Sequence, residues 1–215
     1  MVTVTIHGVA MSTCTKRVIT ACNELGINYN VVNIDFYAKE HKSPEYLETK
    51  NPFGAIPVLV DEDGTQLFES RAICRYLVAK YGKDSGLVPS QSDLKAYGLF
   101  EQAASIEYSS FDPYAGPLTR ERIFVKMMTG QDGDAVLAQK YVDSLNVKMD
   151  GYERILSKQK YLAGDNFTLA DLFHLPYGFY VNQTDPTIMG SKPNVKKWWD
   201  DISSRASWKA ATAQN

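Results

Sequence analysis

The sequence predicts an α/β domain followed by an all-α domain, and three patterns support this prediction. Residues 2–7 and 29–34 have strand patterns on either side of an apolar-faced helix, and such a unit is parallel within one sheet. Two short apolar runs flank Asp63-Gly64, a dipeptide typical of hairpin turns. From Asp93 onward, helical periodicity replaces the strand patterns.

The first domain is predicted to fold as βαβ, a helical link, and then ββα. Its first helix runs from Ser12 to about Asn23, ends near Gly26, and carries one apolar stripe. The hairpin strands are predicted at 57–60 and 65–68. A helix over about 70–80 follows them. The stripe of the first helix consists of Cys14, Val18, Ala21, Cys22 and Leu25.

Composition changes after Tyr81, where a polar stretch with Gly and Pro predicts a linker.

In the second domain Thr168 and Asp171 stand at the two positions of a capping box, which gives them a structural role. His174, between apolar neighbours, is expected to be a core histidine. Helices are predicted at about 93–115, 134–157, 168–180 and 192–206. The predicted divisions are a domain over 1–81, a linker over 82–92 and a helical domain over 93–215.

Composition excludes several classes of function. The net charge of −2 gives no electrostatic reason to expect nucleic acid or an anionic membrane as a partner. The sequence contains no apolar run of about 18 residues, and its N-terminus has no secretory signal pattern. The three cysteines are an odd number without metal-like spacing, which favours reduced thiols, a cytoplasmic location and no metal.

Two segments carry the functional signal. Asn51-Pro-Phe-Gly-Ala-Ile-Pro-Val58 places a proline at the entry of a strand, which leaves backbone groups of Ile56 free for a ligand. In Phe68-Glu-Ser-Arg-Ala-Ile73, an acid and a hydroxyl stand at the start of a helix, where anions are stabilised. Ser12 begins another helix. Together these groups suit a small zwitterionic peptide.

These motifs, with Gly8-Val-Ala-Met-Ser-Thr13, Phe167-Thr-Leu-Ala-Asp-Leu172 and a Trp-rich C-terminal helix, resemble glutathione transferases. The resemblance covers nearly the whole chain and is to the phi-like, serine-type members of plants and fungi. It implies a thioredoxin-like first domain, a helical second domain and conjugation of glutathione to apolar electrophiles. Glutathione would be a cosubstrate, with no bound cofactor. Peroxidase activity and a cytosolic homodimer are further implications.

The resemblance also implies roles for individual residues. Ser12 matches the catalytic serine, whose hydroxyl donates to the glutathione sulfur. Ile56, which precedes the cis-proline Pro57, matches the residue that pairs with the cysteinyl backbone. Ala55 departs from the family pattern, since many relatives have a polar residue there. The other glutathione-binding positions are Glu69 and Ser70 at the γ-glutamyl end, and His41 and Lys42 near the glycine carboxylate.

The chemistry explains why a hydroxyl is needed at Ser12. An ordinary thiol has a pKa near 8.5, so only a few per cent is thiolate at pH 7. Lowering this pKa by about two units needs about 2.7 kcal/mol of preference for the anion. One hydrogen bond to a charged acceptor contributes roughly 1.5–3 kcal/mol, and a helix N-terminus adds roughly 0.3–1 kcal/mol. Thr13 is a possible auxiliary donor, and helix capping is the structural alternative for Ser12.

Two other functions remain open. Cys14, near the start of the first helix, would make the protein a glutathione-dependent thiol reductase, although its apolar stripe favours packing. A non-catalytic carrier of hydrophobic ligands would have the same fold.

An electrophile pocket is expected between the two halves, because small-molecule sites favour domain interfaces. Phe53, an apolar residue on a loop, is expected to help form the homodimer interface. The pocket candidates are Met11, Phe36, Tyr37, Tyr108, Phe111, Tyr114 and Tyr177.

Overall fold

The computed structural model describes residues 2–213. Met1, Gln214 and Asn215, which the predicted domain boundaries include, lie outside the described residues. The chain forms two compact units, one containing the residues up to Val88 and those from Arg205 onward, and the other spanning Pro89–Ser204. The boundaries proposed from the sequence differ from this grouping at the C-terminal end, because the segment after Ser204 packs with the first unit.

The first unit has the predicted order of elements, and its strand and helix limits differ from the predictions by one or two residues. A 3₁₀ turn at Glu40–Lys42 and a short helix, α2 (Pro44–Thr49), form the predicted helical link. The elements are β1 (Thr3–Gly8), α1 (Thr13–Leu25), β2 (Asn28–Asn33), α2 (Pro44–Thr49), β3 (Val58–Val60), β4 (Gln66–Phe68) and α3 (Ser70–Tyr81), with α12 (Ala206–Thr212) returning from the end of the chain.

The four strands form one mixed sheet in the order β2-β1-β3-β4. Strands β1 and β2 are parallel, as the βαβ pattern predicts, with Val4 beside Tyr29. Strand β3 is antiparallel to both β1 and β4, and Ile6 lies beside Leu59. This is the predicted βαβ-ββα arrangement. Val4, Ile6 and Leu59 have no exposed surface and belong to the core of the sheet.

The C-terminal segment is fastened to helix α1. Arg205 donates from Nε and Nη2 to the two carboxylate oxygens of Glu24, at 2.7 and 2.8 Å. Ser207 also donates to Glu24, and Asn23 Nδ2 donates to the Ser207 carbonyl at 2.9 Å. A bidentate Arg–carboxylate pair fixes geometry as well as charge. This contact explains why residues after Ser204 join the first unit.

The second unit is helical within the described residues, apart from an isolated bridge between Tyr161 and Gly164. The helix predicted at about 134–157 is present as α7 (Ala135–Leu156). The elements of the second unit are α4 (Leu94–Ile106), a π-helical turn (Glu107–Phe111), α5 (Asp112–Thr119), a second π-helical turn (Arg120–Phe124), α6 (Val125–Thr129), α7 (Ala135–Leu156), α8 (Leu169–Leu172), α9 (Leu175–Thr184), α10 (Pro186–Gly190) and α11 (Pro193–Ser203).

Two helix predictions in this unit were wrong in extent. The helix expected to end near residue 115 continues through Pro117 to Thr129, with two π-helical turns along its length. Such turns and prolines are typical local irregularities of helices that bend without stopping. The single helix expected over 168–180 is instead two, because Pro176 occupies the first turn of a new helix, α9.

The predicted capping box is present at the start of α8. Thr168 Oγ1 accepts the Ala170 N–H at 3.3 Å, and Asp171 accepts the Thr168 N–H at 3.0 Å. The buried Asp171 carboxylate also accepts the indole N–H of Trp198 at 2.9 Å and the Leu162 N–H at 3.0 Å. These bonds tie α8, α11 and the preceding loop together, so the box is structural.

His174 is a core histidine, as expected. Its Nδ1 lies 2.8 Å from the Ala170 carbonyl, which can only accept, so Nδ1 carries the proton. Nε2 therefore accepts from the Tyr152 hydroxyl at 2.8 Å. Burial raises the pKa of Tyr152 well above its ordinary value, which keeps that hydroxyl a donor.

Across residues 2–213, no helix combines the length and the apolar character that crossing a membrane requires.

A buried carboxylate, Asp61, fastens the C-terminal end of α3 to the β3–β4 hairpin. It accepts hydrogen bonds from the Tyr76 hydroxyl at 2.5 Å, the Tyr81 hydroxyl at 2.6 Å and Lys80 Nζ at 2.7 Å. Burial by itself raises the Asp61 pKa, but these donors outweigh burial and lower the pKa to about 2. The network fixes α3, whose first residues belong to the candidate site described below.

The Asp61 network predicts how stability depends on pH. Because the folded pKa of about 2 lies below the ordinary value of 3.8, the contribution of Asp61 is fully present above about pH 4 and is lost as pH falls toward 2. Asp61→Asn should lower the free energy of unfolding at pH 7 by about 2 kcal/mol. It should also flatten the pH dependence between 4 and 2, as measured by urea unfolding. Asp84→Asn, at an exposed position, is the control. Equal pH slopes in the unmodified protein and Asp61→Asn would contradict this account.

Candidate functional site

The loop before β3 is held in shape by two side chains that sequence reasoning did not single out. The Ala55 carbonyl accepts from the Tyr46 hydroxyl and from Asn51 Nδ2, each at 3.0 Å. Asn51 also accepts the Phe53 N–H at 3.0 Å through Oδ1. An asparagine that begins a turn in this way is a recognisable sequence signal.

Ile56, a predicted glutathione-binding residue, follows directly on this loop. The Ile56–Pro57 peptide bond is cis, as predicted. The Ile56 side chain packs against buried Ile34, Tyr46 and Val58, which holds its backbone in place. Within residues 2–213 no group bonds to the Ile56 N–H or carbonyl, so both are available to a peptide. Backbone groups of this kind normally find a partner.

Ser12 lies at the N-cap of α1 and is partly exposed. Its Oγ accepts the Thr15 N–H at 3.4 Å, which is long for such a bond and indicates a weak cap. The hydroxyl proton takes no part in that bond. The cap and a donor role are therefore compatible, because one uses a lone pair and the other uses the proton.

Glu69 and Ser70 stand at the start of α3, as predicted. Glu69 is exposed, and no group among the described residues bonds to its carboxylate. Its backbone has φ 70 and ψ 101, a conformation that costs a non-glycine residue roughly 1–3 kcal/mol. Ser70 is buried, with 5 % of its surface exposed, and its Oγ accepts a hydrogen bond at 2.8 Å from Arg17 Nη1.

Sequence reasoning missed Arg17. Its side chain has no exposed surface and is the largest of the fully buried side chains. The signal was its position three residues after Cys14 and four before Ala21, which places it on the apolar stripe of α1. Besides Ser70, Arg17 Nη1 contacts Cys14 Sγ at 3.6 Å.

His41 and Lys42 lie close to the same loop. The His41 ring is buried and stacks on Phe36, with ring centroids 4.3 Å apart. Its Nδ1 has no hydrogen-bond partner among residues 2–213. Burial, and then the charge of Lys42, lower the His41 pKa, so the ring is neutral at pH 7. Lys42 Nζ donates to the Phe53 carbonyl at 3.2 Å and carries the positive charge of the pair.

The three thiols are free. Cys22 and Cys74 are buried, as expected, and burial raises the pKa of each thiol. Cys14 is only partly buried, so it is less enclosed than the apolar stripe predicted. Thr13 is buried, with 5 % of its surface exposed, which makes Ser12 the more accessible hydroxyl of the two.

The candidate electrophile residues differ widely in exposure. Four of them are exposed to solvent, namely Met11, Phe36, Tyr37 and Tyr108. Tyr114 and Tyr177 are partly buried within the helical unit. Phe111 has no exposed surface, and its ring packs 4.8 Å from His174 in the core of that unit. A ring enclosed in this way contributes packing, so we leave Phe111 out of the proposed pocket.

Two family models match this chain. They are the glutathione S-transferase N-terminal domain over residues 2–79 and the glutathione S-transferase C-terminal domain over residues 117–206. The chain belongs to the glutathione S-transferase family.

Individual proteins and solved structures that resemble this chain are also glutathione transferases. Glutathione S-transferase PM239X14 from Arabidopsis thaliana is 65 % identical over 199 residues, covering 93 % of this chain and 91 % of that protein. The structure of glutathione transferase F7 from Populus trichocarpa has a TM-score of 0.91 at 37 % identity and covers 98 % of each chain. Maize glutathione S-transferase I in complex with an atrazine glutathione conjugate has a TM-score of 0.88 at 32 % identity, covering 98 % of this chain and 96 % of that one.

These comparisons confirm the phi-like resemblance, the thioredoxin-like first domain with a helical second domain, and the glutathione transferase activity predicted from the sequence.

The strained backbone of this transferase at Glu69 yields a prediction. Glu69→Gly should relieve the strain of a positive φ and, after the entropy cost of glycine, raise the free energy of unfolding by about 1 kcal/mol. The same change should weaken glutathione binding, because the carboxylate is lost. Urea unfolding and calorimetric titration measure the two effects.

Glu69→Gln is the matched control, since it keeps the side-chain shape and the backbone strain but removes the charge. It should bind glutathione weakly without any gain in stability. A Glu69→Gly variant less stable than Glu69→Gln would show that the backbone at this position is not strained.

Proposed function

We propose that this transferase binds glutathione along the Ile56 loop and the starts of α1 and α3. In this proposal the Ser12 hydroxyl keeps the glutathione sulfur ionised for attack on apolar electrophiles. The observation that carries the proposal is the hydrogen bonding of Ser12, whose oxygen accepts weakly from Thr15 while no group among residues 2–213 accepts its proton. A partly exposed hydroxyl at a helix N-terminus is suited to donate to an anion.

The energetics are sufficient for the task. A hydrogen bond from Ser12 to a thiolate contributes roughly 1.5–3 kcal/mol, and the start of α1 adds roughly 0.3–1 kcal/mol. The sum covers the 2.7 kcal/mol, about two pKa units, that an ordinary thiol needs to be largely ionised at pH 7. With an aryl halide, the thiolate lone pair forms the carbon–sulfur bond, and the halide leaves with the electron pair of the broken carbon–halogen bond. With an isothiocyanate, the thiolate adds to the central carbon and the nitrogen takes up a proton. A lipid hydroperoxide is instead reduced to its alcohol and water while two glutathione molecules are oxidised to the disulfide.

The rest of the peptide fits the other groups by charge and hydrogen bonding. The N–H and carbonyl of Ile56 pair with the cysteinyl backbone. The exposed Glu69 carboxylate attracts the γ-glutamyl ammonium, while Ser70 donates to the neighbouring carboxylate. Lys42 supplies positive charge for the glycine carboxylate, with neutral His41 as an N–H donor.

For the electrophile, we propose contacts with three exposed side chains of the first unit, Met11, which directly precedes Ser12, and the aromatic Phe36 and Tyr37. Such surfaces favour flat or polarisable apolar molecules. Aryl halides, isothiocyanates and lipid hydroperoxides belong to this class, and the last would give peroxidase activity. Turnover assays with one member of each type separate these substrates.

Replacing Ser12 tests the mechanism directly. Ser12→Ala should lower kcat/KM for an aryl halide at pH 7 by roughly 10- to 100-fold, because the thiol loses its charge-assisted hydrogen bond. The loss should shrink as pH rises toward 9, where the thiol ionises without help. The measurement is a pH profile of kcat/KM for the aryl halide at saturating glutathione.

Thr13→Ala is the control, since it removes the adjacent hydroxyl. It should leave the profile unchanged, and both variants should fold, because the cap bond of Ser12 is weak. Unchanged turnover in Ser12→Ala would refute the proposal. Glutathione binding without turnover in the unmodified protein would favour the carrier. A stoichiometric glutathione adduct on Cys14 would favour the thiol reductase.

We further propose a homodimer that uses Phe53. This ring is 73 % exposed although it is apolar, and it makes an edge contact with Phe68, with ring centroids 6.2 Å apart. Sedimentation velocity should give twice the chain mass of 24.1 kDa, and Phe53→Asp should shift the protein to the single-chain mass. Tyr37→Asp, at another highly exposed ring, should leave the dimer intact. A single-chain mass for the unmodified protein contradicts the dimer.

A cytoplasmic location is part of the proposal. The three cysteines are all free, which is typical of a reducing compartment. Fractionation of the native cells tests it, and recovery from an oxidising compartment would contradict it.

A further inference from the structure

The buried guanidinium of Arg17 needs a physical reason. Removing a charge from water costs several kcal/mol unless it is well paired, and buried arginines are rare for that reason. Arg17 nevertheless has no exposed surface, and it lies on α1 only five residues after Ser12. A fully buried charge so close to the proposed ligand site is a candidate for function.

One nitrogen of Arg17 touches the first turns of both helices that bear candidate ligand groups. Nη1 donates to Ser70 Oγ, at the start of α3, at 2.8 Å. The same nitrogen lies 3.6 Å from Cys14 Sγ, in the first turn of α1 and two residues from Ser12. The guanidinium therefore ties the helix start that carries Ser12 to the helix start that carries Ser70.

The chemistry of this contact fixes the direction of the Ser70 proton. A guanidinium has five N–H donors and no acceptor, so Ser70 Oγ must accept from it. The single hydroxyl proton of Ser70 is then excluded from the Arg17 side and is left for an acceptor elsewhere. A positive donor on the oxygen also polarises the hydroxyl, which strengthens the bond that its proton makes.

We propose that Arg17 is a positioning residue for the γ-glutamyl carboxylate of glutathione, acting through Ser70. The guanidinium orients the Ser70 hydroxyl as a donor to that carboxylate and sets the spacing between Ser70 and the Ser12 turn. Arg17 does not itself touch the ligand. This inference rests on the proposed glutathione site and adds to it a residue that acts from the core.

A double-mutant cycle tests the inference. The variants are Arg17→Lys, Ser70→Ala and the two combined, and the readouts are the KM for glutathione, kcat and the melting temperature. Arg17→Lys keeps an ammonium but loses the planar geometry that reaches two partners. It should raise the KM for glutathione about tenfold while kcat changes less than about threefold. Ser70→Ala should do the same.

The double variant should have the KM of Ser70→Ala, because the proposed effect of Arg17 on glutathione binding passes through the Ser70 hydroxyl. Additive effects on KM would overturn the inference, as would a fall in kcat without a rise in KM. Ser70→Thr, which keeps a hydroxyl, should retain a KM near that of the unmodified protein.

Arg205→Lys is the matched control, since it loosens α1 at its other end through Glu24 and lies away from Ser70. It should lower the melting temperature and leave the KM unchanged. If Arg17→Lys does not fold, Arg17→Gln, which keeps a neutral N–H donor, takes its place in the cycle. Failure of both to fold, together with a normal KM in Ser70→Ala, overturns the inference. Failure of the glutathione site itself is distinct, because the unmodified protein would then neither bind nor conjugate glutathione.

Discussion

At two helix starts of this protein, a serine oxygen accepts a hydrogen bond from the protein itself. A serine hydroxyl has one proton, and a scaffold donor on its oxygen decides where that proton can go. Ser12 accepts from the Thr15 amide, and Ser70 accepts from the Arg17 guanidinium. In both cases the hydroxyl is left as a donor toward a ligand, at the start of a helix that already favours negative charge. A thiolate and a carboxylate are the two anions that one glutathione molecule would bring to these positions.

Several energetically unfavourable local features lie in the same region as these groups. Glu69 has a positive φ, Arg17 is buried with its charge, His41 Nδ1 is buried without a partner among the described residues, and the cap of α1 is weak. Such features are common at functional sites and are supported by stable structure nearby. Here the Asp61 network holds the far end of α3, and the Glu24–Arg205 pair holds the far end of α1. Each of these helices is thus fixed at one end and carries the proposed ligand groups at the other.

Much of this was accessible from the sequence because the signals are local. Gly26 ends α1 with φ 63, and the Thr168–Asp171 box forms as its spacing requires. Failures occurred where tertiary packing overrides a local pattern. Pro117 does not stop its helix, and the segment after Ser204 leaves the helical unit for α1 through contacts about 180 residues apart in the chain. Arg17 was missed because a charged residue is expected to be exposed even beside an apolar stripe. Its partner on α3, Ser70, is known only from the structure.

The most direct test of the central claim is the ionisation of bound glutathione. Ultraviolet difference spectroscopy can titrate the thiol in complexes with the unmodified protein and with Ser12→Ala. The account predicts a bound-thiol pKa about two units below the ordinary value near 8.5 in the unmodified protein, and a value close to the ordinary one in the variant. The same pKa in both complexes would contradict it.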